Sequence, residues 1–267
     1  MPTTHQLKPD KPIRLDDVST DGKDHHKDRS AAEEEFFSLR HELVDQQQRL
    51  YAEGKQKLLI VLQAMDAGGK DGTTRKVFQG VNPQGVRVTS FKKPTDEELA
   101  HDFLWRIHKA APAKGMIGVF NRSHYEDVLV VRVDNLVSEP VWRRRFEQIN
   151  QFENTLSESN TSILKFYLHI SKKEQKKRFQ ARLDDPTKHW KFSKHDLLKR
   201  KQWEHYQEAY EDVLNRCTTA WAPWYVIPAD QKWYRNLAIM RVIASTLNRM
   251  DPQYPDGTDE VSGVTFE

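Results

Sequence analysis

The stretch Leu58–Thr74, LLIVLQAMDAGGKDGTT, constrains the fold of this chain more than any other. Leu58–Leu62 is an unbroken apolar run of strand formers, which suits a strand buried on both faces of a parallel sheet. Gly68, Gly69 and Gly72 interrupt the chain, and the helix-compatible TTRKVFQGV follows. Strand, glycine-rich turn and helix with a lysine at its start make the layout of a phosphate-binding loop. Small residues let the backbone close around an anion, amide N–H groups and the helix dipole point at it, and Lys70 adds a full positive charge. The pattern G-x-x-x-x-G-K-[ST] is met only in part. Gly69 and Lys70 fit, but Ala64 stands for the first glycine and Asp71 for the hydroxyl residue that normally touches Mg2+. Two carboxylates, Asp66 and Asp71, therefore flank the lysine. The plain alternative is a Gly-rich turn whose aspartates cap the helix.

The rest of the chain reads as alternating elements. Residues 1–30 are polar and read as an extended arm or a partly disordered one. A helix is predicted from Ala31 to Ala52, with Phe36, Phe37, Leu39, Leu43, Val44 and Leu50 as its apolar stripe. Strands are predicted at 58–62, 86–91, 115–120, 162–170 and 224–228. Helices are predicted at 70–80, 95–110, 124–131, 140–160, 202–219 and 230–250, with a charged, mostly helical stretch at 171–201. A tail runs from 251 to 267. Strands alternating with helices imply a parallel sheet covered on both faces, with ligands at the carboxyl ends of the strands. Polar groups suited to phosphate fall at four such ends: residues 64–73, Lys92 and Lys93, Asn121 and Arg122, and residues 171 onward.

With 267 residues the chain can form one large α/β domain or two small ones, and we take 31–250 as a single domain. The formal charge is only +3, so any preference for anions must come from local clustering. Such a cluster exists. Lys172–Lys201 holds twelve Lys and Arg against Glu174, Asp184, Asp185 and Asp196, a local balance of +8. A solvated charged hairpin would explain it, as would a lid closing cationic groups over phosphates. The position after the fourth strand favours the lid. Cys217 is the only cysteine, so no intramolecular disulfide can form. With neither a signal-peptide core nor a membrane-length apolar run at hand, a cytoplasmic protein without membrane partners is expected.

Assembled, these residues resemble the polyphosphate kinase type 2 family, phosphate-loop kinases that move phosphoryl groups between inorganic polyphosphate and nucleotides. The family's degenerate loop is similar to AMDAGGKDGT (64–73), and its Asp/Asn-Arg-Ser motif to FNRSHYEDV (120–128). Its lid signature is similar to RFQARLDDPTKHWKFS (178–193), and a late Pro-Ala-Asp-x-Lys element to PADQKWYRN (228–236). The resemblance spans roughly Glu33 to Met250. It implies a phosphate-loop kinase-like α/β/α fold, with a parallel five-stranded sheet and a helical lid at about 171–201.

By the same resemblance, Lys70 binds the transferred phosphate, with Gly68, Gly69, Asp71, Gly72 and Thr73 around it. Asp66, Asn121 and Glu126 hold Mg2+, and Arg122, Arg178 and Arg182 contact phosphates, the last two from the lid. Lys92 and Lys93 are candidates for the path of a polymeric donor. Many relatives carry Asp where Asn121 stands. The sequence HYED (124–127) is similar to the subgroup that phosphorylates both AMP and ADP, with Glu126 as its marker. The implied partners are inorganic polyphosphate and AMP, ADP or ATP, and a homo-oligomer is expected.

Transfer to a nucleotide phosphate, already ionised at neutral pH, needs charge neutralisation and alignment rather than a general base. That agrees with the lack of any Ser-His-Asp or Cys-His arrangement. An NTP-using nucleotide kinase of the thymidylate-kinase type would share fold and lid, but Ala64 and Asp71 depart from its loop. A polyanion- or nucleic-acid-binding protein with a relic loop would use the basic segment and the seven tryptophans. It leaves Asp66 without a purpose, since a carboxylate repels a nucleic acid.

Overall fold

The computed structural model describes residues 4–257 and residue 264. Five strands form one parallel sheet: β1 (Lys57–Gln63), β2 (Val86–Ser90), β3 (Ile117–Asn121), β4 (Thr161–His169) and β5 (Trp224–Pro228), in the order β2-β3-β1-β4-β5. The apolar run is central. Leu59 pairs with Gly118 of β3 on one side and with Ile163 of β4 on the other. Leu58, Leu59, Ile60 and Val61 are fully buried, which requires cover on both faces.

The helices, in chain order, are α1 (Arg29–Glu53), α2 (Lys70–Val77), α3 (Asp96–Leu99), α4 (Trp105–Ala110), α5 (Val130–Val133), α6 (Glu139–Glu158), α7 (Lys172–Leu183), α8 (Lys194–Lys201), α9 (Trp203–Arg216) and α10 (Lys232–Met250). α1 and α2 pack on α10, while α5 packs on α6 and α9. The expected five-stranded parallel α/β architecture is therefore present.

Three local expectations differ. The helix predicted over 95–110 is two short helices, because Asp102 starts a new turn: its side chain accepts from the Leu104 amide (2.9 Å). The helix predicted over 124–131 is a single 3-10 turn, His124–Asp127, followed by the one-turn α5. Ser123 caps that 3-10 turn by accepting from the Tyr125 amide at 3.2 Å, and β-branched Val128, Val130 and Val131 do little to favour a continuous helix. Residues 4–28 are not free of the domain. Leu7 N–H donates to Trp224 O (2.8 Å) and Val226 N–H to His5 O (2.9 Å), so the arm caps the β5 edge in antiparallel fashion. Leu15 is buried, and its amide donates to Glu211 Oε2. Residues 1–3 of the arm, and 258–263 and 265–267 of the tail, lie outside the described residues.

The sheet places β1 between β3 and β4, with β2 beyond β3. The strand order reverses around β1, which opens a crevice at the carboxyl ends of β1 and β3.

Candidate active site

At the end of β1 the chain turns through Ala67 (φ +61°) and Gly69 (φ +107°) into α2. A Cβ on Gly68 would lie 2.4 Å from the Ala64 Cβ and 2.8 Å from Met65 O, so the turn closes only with glycine. The first intrahelical donor of α2 is Thr73 N–H, to Gly69 O at 2.9 Å. The amides of Lys70, Asp71 and Gly72 come before it, at the positive end of the helix dipole. Lys70 folds back across the turn and donates to Ala64 O at 2.9 Å. Burial, and then Arg122, push its ammonium down to about 8, against the pull of Asp66, Glu126 and Asp71.

The loop is held in shape from α7. Gln175 Nε2 donates to Asp66 O (2.9 Å), and Arg178 Nη1 donates to Ala67 O (3.1 Å) and Gly68 O (2.9 Å). Three consecutive loop carbonyls are thus drawn to one side. Arg178 Nη2 donates to Ala229 O and Asp230 O, and its Nε to Glu174 Oε1. All five of its N–H groups are engaged by the protein. The resemblance implies a phosphate contact from the lid for Arg178; its guanidinium braces the loop backbone and also lines the cationic cleft described below. The first turns of α7 belong to the scaffold of the loop, because Gln175, Arg178 and Phe179 are buried. Gln175 was not anticipated, and nothing in the sequence marks it.

β3 delivers Asn121 and Arg122. Arg122 adopts φ +61°, uncommon for a residue other than glycine and the kind of strain found at functional sites. Its Nη2 pairs with Asp66 Oδ1 at 3.1 Å. Burial works against the Arg122 charge, but Glu126 and Asp66 outweigh it and raise its pKa. Asn121 Nδ2 donates to Asp71 Oδ1 at 2.7 Å, and Lys191 lies 3.7 Å from the other Asp71 oxygen. Burial would raise the Asp71 pKa, but the Asn121 amide, Lys191, Lys70 and Arg182 hold it below the usual carboxylate range.

Glu126 sits on the 3-10 turn beyond β3. Gln63 reaches it from the end of β1: with its amide turned, Gln63 donates to Glu126 Oε1 (3.1 Å) and accepts from the Ser123 amide (3.2 Å). Behind this turn lies a fully buried polar group. Lys165 Nζ meets Glu153 Oε2 (2.6 Å), Tyr125 OH (2.8 Å) and Cys217 O (2.6 Å). Glu153 Oε1 accepts from Tyr125 OH (2.8 Å) and meets His124 Nε2 (3.1 Å). Burial pushes the His124 imidazole down, and Lys165 and His124 overcome burial to keep Glu153 ionised. Sequence reasoning missed this network, although a lysine inside the strand SILKFYLHI was a signal for it.

Two depressions meet at this site. The larger, about 930 Å3, is lined by eleven Lys and Arg against three Asp. It contains Gly68, Gly69, Lys70, Asp71, Gly72, Lys92, Arg178 and Arg182, and from the lid Lys188, Trp190 and Lys191. The smaller holds Glu126, Leu129, Val130, Lys199, Tyr206 and Tyr210. Asp66 and Arg122 line both. Arg182 also pairs with Asp196 (3.7 Å) and donates to Lys191 O (3.1 Å). Neither Thr73 nor Lys93 lines either depression. The Thr73 amide is spent within α2, and its hydroxyl is buried without a partner among the described residues.

A glycine loop at the end of a central parallel strand, facing a cationic cleft beneath a helical lid, defines a phosphate-loop phosphotransferase. The chain belongs to the polyphosphate kinase 2 family: the model for Polyphosphate kinase 2 (PPK2) matches residues 26–255. It is 53% identical over 239 residues to the AMP/ADP-polyphosphate phosphotransferase of Meiothermus ruber, covering 90% of each chain. It is 48% identical over 228 residues to the ADP-polyphosphate phosphotransferase of Rhodopseudomonas palustris, covering 81% of this chain and 79% of that one. Its backbone matches the crystal structure of polyphosphate kinase 2 from Arthrobacter aurescens TC1 with a TM-score of 0.92 and 41% identity, over 96% of this chain and 92% of that one.

Proposed function

We propose that this chain is a Mg2+-dependent phosphotransferase that moves phosphoryl groups between inorganic polyphosphate and AMP or ADP. The observation that carries the reading is the junction at Asp66 and Arg122, where a long cationic cleft meets a smaller pocket bearing Glu126 and two tyrosines. A polyanionic donor suits the cleft, and the phosphate end of a nucleotide acceptor suits the mouth of the smaller pocket, beside Asp66 and Arg122. The phosphoryl group transferred between them passes the residues that line both. The similarity to the AMP/ADP enzyme of Meiothermus ruber supports the choice of acceptors.

The residues fit Mg2+. Asp66 has one oxygen on Arg122 and a second to offer, Asn121 spends its nitrogen on Asp71 and keeps its oxygen, and Glu126 lines the same pocket as Asp66. One or two carboxylates with neutral oxygens suit an ion that retains several waters. When bound, Mg2+ neutralises phosphate charge and orients the oxygens of donor and acceptor. The chain's own residues do the rest. Lys70 and the amides at the start of α2 hold the donor's terminal phosphate. Arg122 lies between donor and acceptor and meets the charge on the group in transfer. Arg182 and Lys191 contribute charge from the lid, and Lys92 extends the path for the polymer.

The reading extends to a homo-oligomer acting in the cytoplasm on free phosphates, without nucleic acid or membrane as partner. Among the described residues no helix is long and apolar enough to cross a membrane. The deciding experiment supplies Mg2+ and AMP or ADP with either polyphosphate or ATP and follows the nucleotides by chromatography. Polyphosphate is expected to convert AMP to ADP and ADP to ATP. Transfer from ATP alone, with polyphosphate inert, would establish an NTP-dependent nucleotide kinase instead.

A further inference from the structure

Two arginines lie buried against the glycine loop, and the protein treats them differently. Arg178 has every N–H group engaged by carbonyls or by Glu174. Arg235, in the first turn of α10, is 2% exposed. Among the described residues its guanidinium bonds only to the neutral Asn236, through Nε (3.2 Å) and Nη2 (2.8 Å) to Oδ1. Among the described residues it forms no ion pair, and its Nη1 has no hydrogen-bond partner. A buried cation without a counter-ion is costly, and folded proteins rarely keep one without a use.

Its position gives the use. A Cβ on Gly69 would lie 2.1 Å from Arg235 Nη1, and one on Gly72 3.8 Å from Nη2. The guanidinium is therefore packed onto the glycines of the loop, and the lack of a side chain at Gly69 is what admits it. Arg235 also lines the cationic cleft, beside Lys232 and Asn236. Burial, and then the neighbouring cation Arg178, push the Arg235 guanidinium down to about 9. It stays protonated at neutral pH, so its charge awaits an anion.

We propose that Arg235 is an anion-binding residue of the donor site, left without a counter-charge by the protein so that a donor phosphate seated at the glycine loop supplies it. The inference rests on the phosphotransferase reading above and assigns the donor side of that site. It concerns the donor and not the nucleotide, because Arg235 borders the cationic cleft and is absent from the Glu126 pocket.

The test uses Arg235→Met and Arg235→Lys in the full chain, with tripolyphosphate and, separately, ADP titrated by calorimetry. Losing a charge-assisted contact should weaken tripolyphosphate binding by about 10- to 100-fold in Arg235→Met. ADP affinity should change by less than about twofold, within the scatter expected of a residue outside the acceptor pocket. Arg235→Lys keeps the charge without the planar fork and should fall between wild type and Arg235→Met. The urea midpoint of the free protein should not fall in Arg235→Met, because the substitution removes an uncompensated buried charge. Unchanged tripolyphosphate affinity overturns the proposal, as does a lowered midpoint with equal losses for tripolyphosphate and ADP, which marks a purely structural arginine. Should Arg235→Met fail to fold, wild-type affinity in Arg235→Lys overturns it equally, since a site built on the fork must weaken. Wild-type protein that binds ADP but no tripolyphosphate removes the donor reading itself, and this proposal with it.

Discussion

Two of the places where the molecule buries charge are built on opposite principles. Behind the His124–Asp127 turn, Lys165, Glu153, Tyr125 and His124 form a closed group in which the cation has its carboxylate and the carboxylate its donors. At the glycine loop, Lys70, Arg178 and Arg235 are buried as well, but Lys70 and Arg178 reach only carbonyls and Glu174, and Arg235 reaches only an amide. The first region is complete without a ligand and fixes the strand end that carries Arg122 and Glu126. The second is short of negative charge, and a phosphate would complete it. Charge balance alone thus separates a scaffold from a site.

The comparison breaks most visibly at Glu153. Glu153→Gln leaves the Lys165 ammonium buried beside a neutral amide, and breaking such a pair should cost about 3–5 kcal/mol of unfolding free energy. Urea denaturation measures it, and a loss under about 1 kcal/mol would show that the closed group is not held by its charges.

Lys70→Ala tests the open region and should do the reverse. Turnover should fall below a tenth of wild type, since losing this contact costs roughly 2–4 kcal/mol of transition-state stabilisation. Stability at pH 7 should be kept. The Lys70 pKa is lower in the folded chain than in the unfolded one, so its charge costs stability below about pH 8, and that cost fades as pH rises toward the usual lysine value. The same position gives kcat/KM of the wild type an alkaline limb near pH 8, where the free enzyme loses the proton. A pH profile flat to pH 10 would rule Lys70 out as the charged contact (the ordinary lysine value being about 10.4).

Arg178 shares features of both regions. It is buried and saturated, yet it shapes the loop. Arg178→Ala strands several carbonyls and should cost about 1–3 kcal/mol of stability, together with a raised KM for polyphosphate as well as lowered turnover. Arg178→Lys should rescue little, because an ammonium cannot span both carbonyl pairs. Lowered turnover at unchanged stability and KM would return Arg178 to the role of a lid residue acting on the transition state.

The smallest effect is expected at Glu126, on the seam between the two regions. AMP leaves a gap that the second phosphate of ADP fills, and a carboxylate acting through hydrated Mg2+ can bridge it. Glu126→Gln should therefore lower kcat/KM for AMP roughly three- to tenfold more than for ADP, the range of one water-mediated contact. Equal proportional losses would make Glu126 a general metal or structural residue.

The physical difference between the regions also sorts what could be read in advance. β1, its glycine turn and the lysine behind it follow from local chemistry: apolar runs, missing Cβ atoms and a helix start act over a few residues. Hence the five strands and the placing of Lys70, Asp66, Asn121 and Arg122 at neighbouring strand ends were legible. The two broken helices were not, because a single aspartate or serine side chain redirects a turn at little cost.

What the amino-acid sequence determined by itself is the alternation of elements, the parallel sheet and the anion-seeking turn at its centre, since each depends on neighbours in the chain. Tertiary structure alone decided what each charge meets. Arg178 and Arg182 look equivalent four residues apart and both line the cleft, yet one has its donors filled by backbone carbonyls and Glu174 while the other pairs with Asp196. Arg235 is one basic residue among 42, and it stands out only when α10 is folded against Gly69 and, among the described residues, no ion pair forms with it. Pairing and desolvation are set by groups distant in the chain: Glu153 finds Lys165 across a helix–sheet contact, and Arg235 lies 166 positions from the glycine it touches. A one-dimensional pattern carries the charges but not the distances between them, and electrostatic energy depends on both.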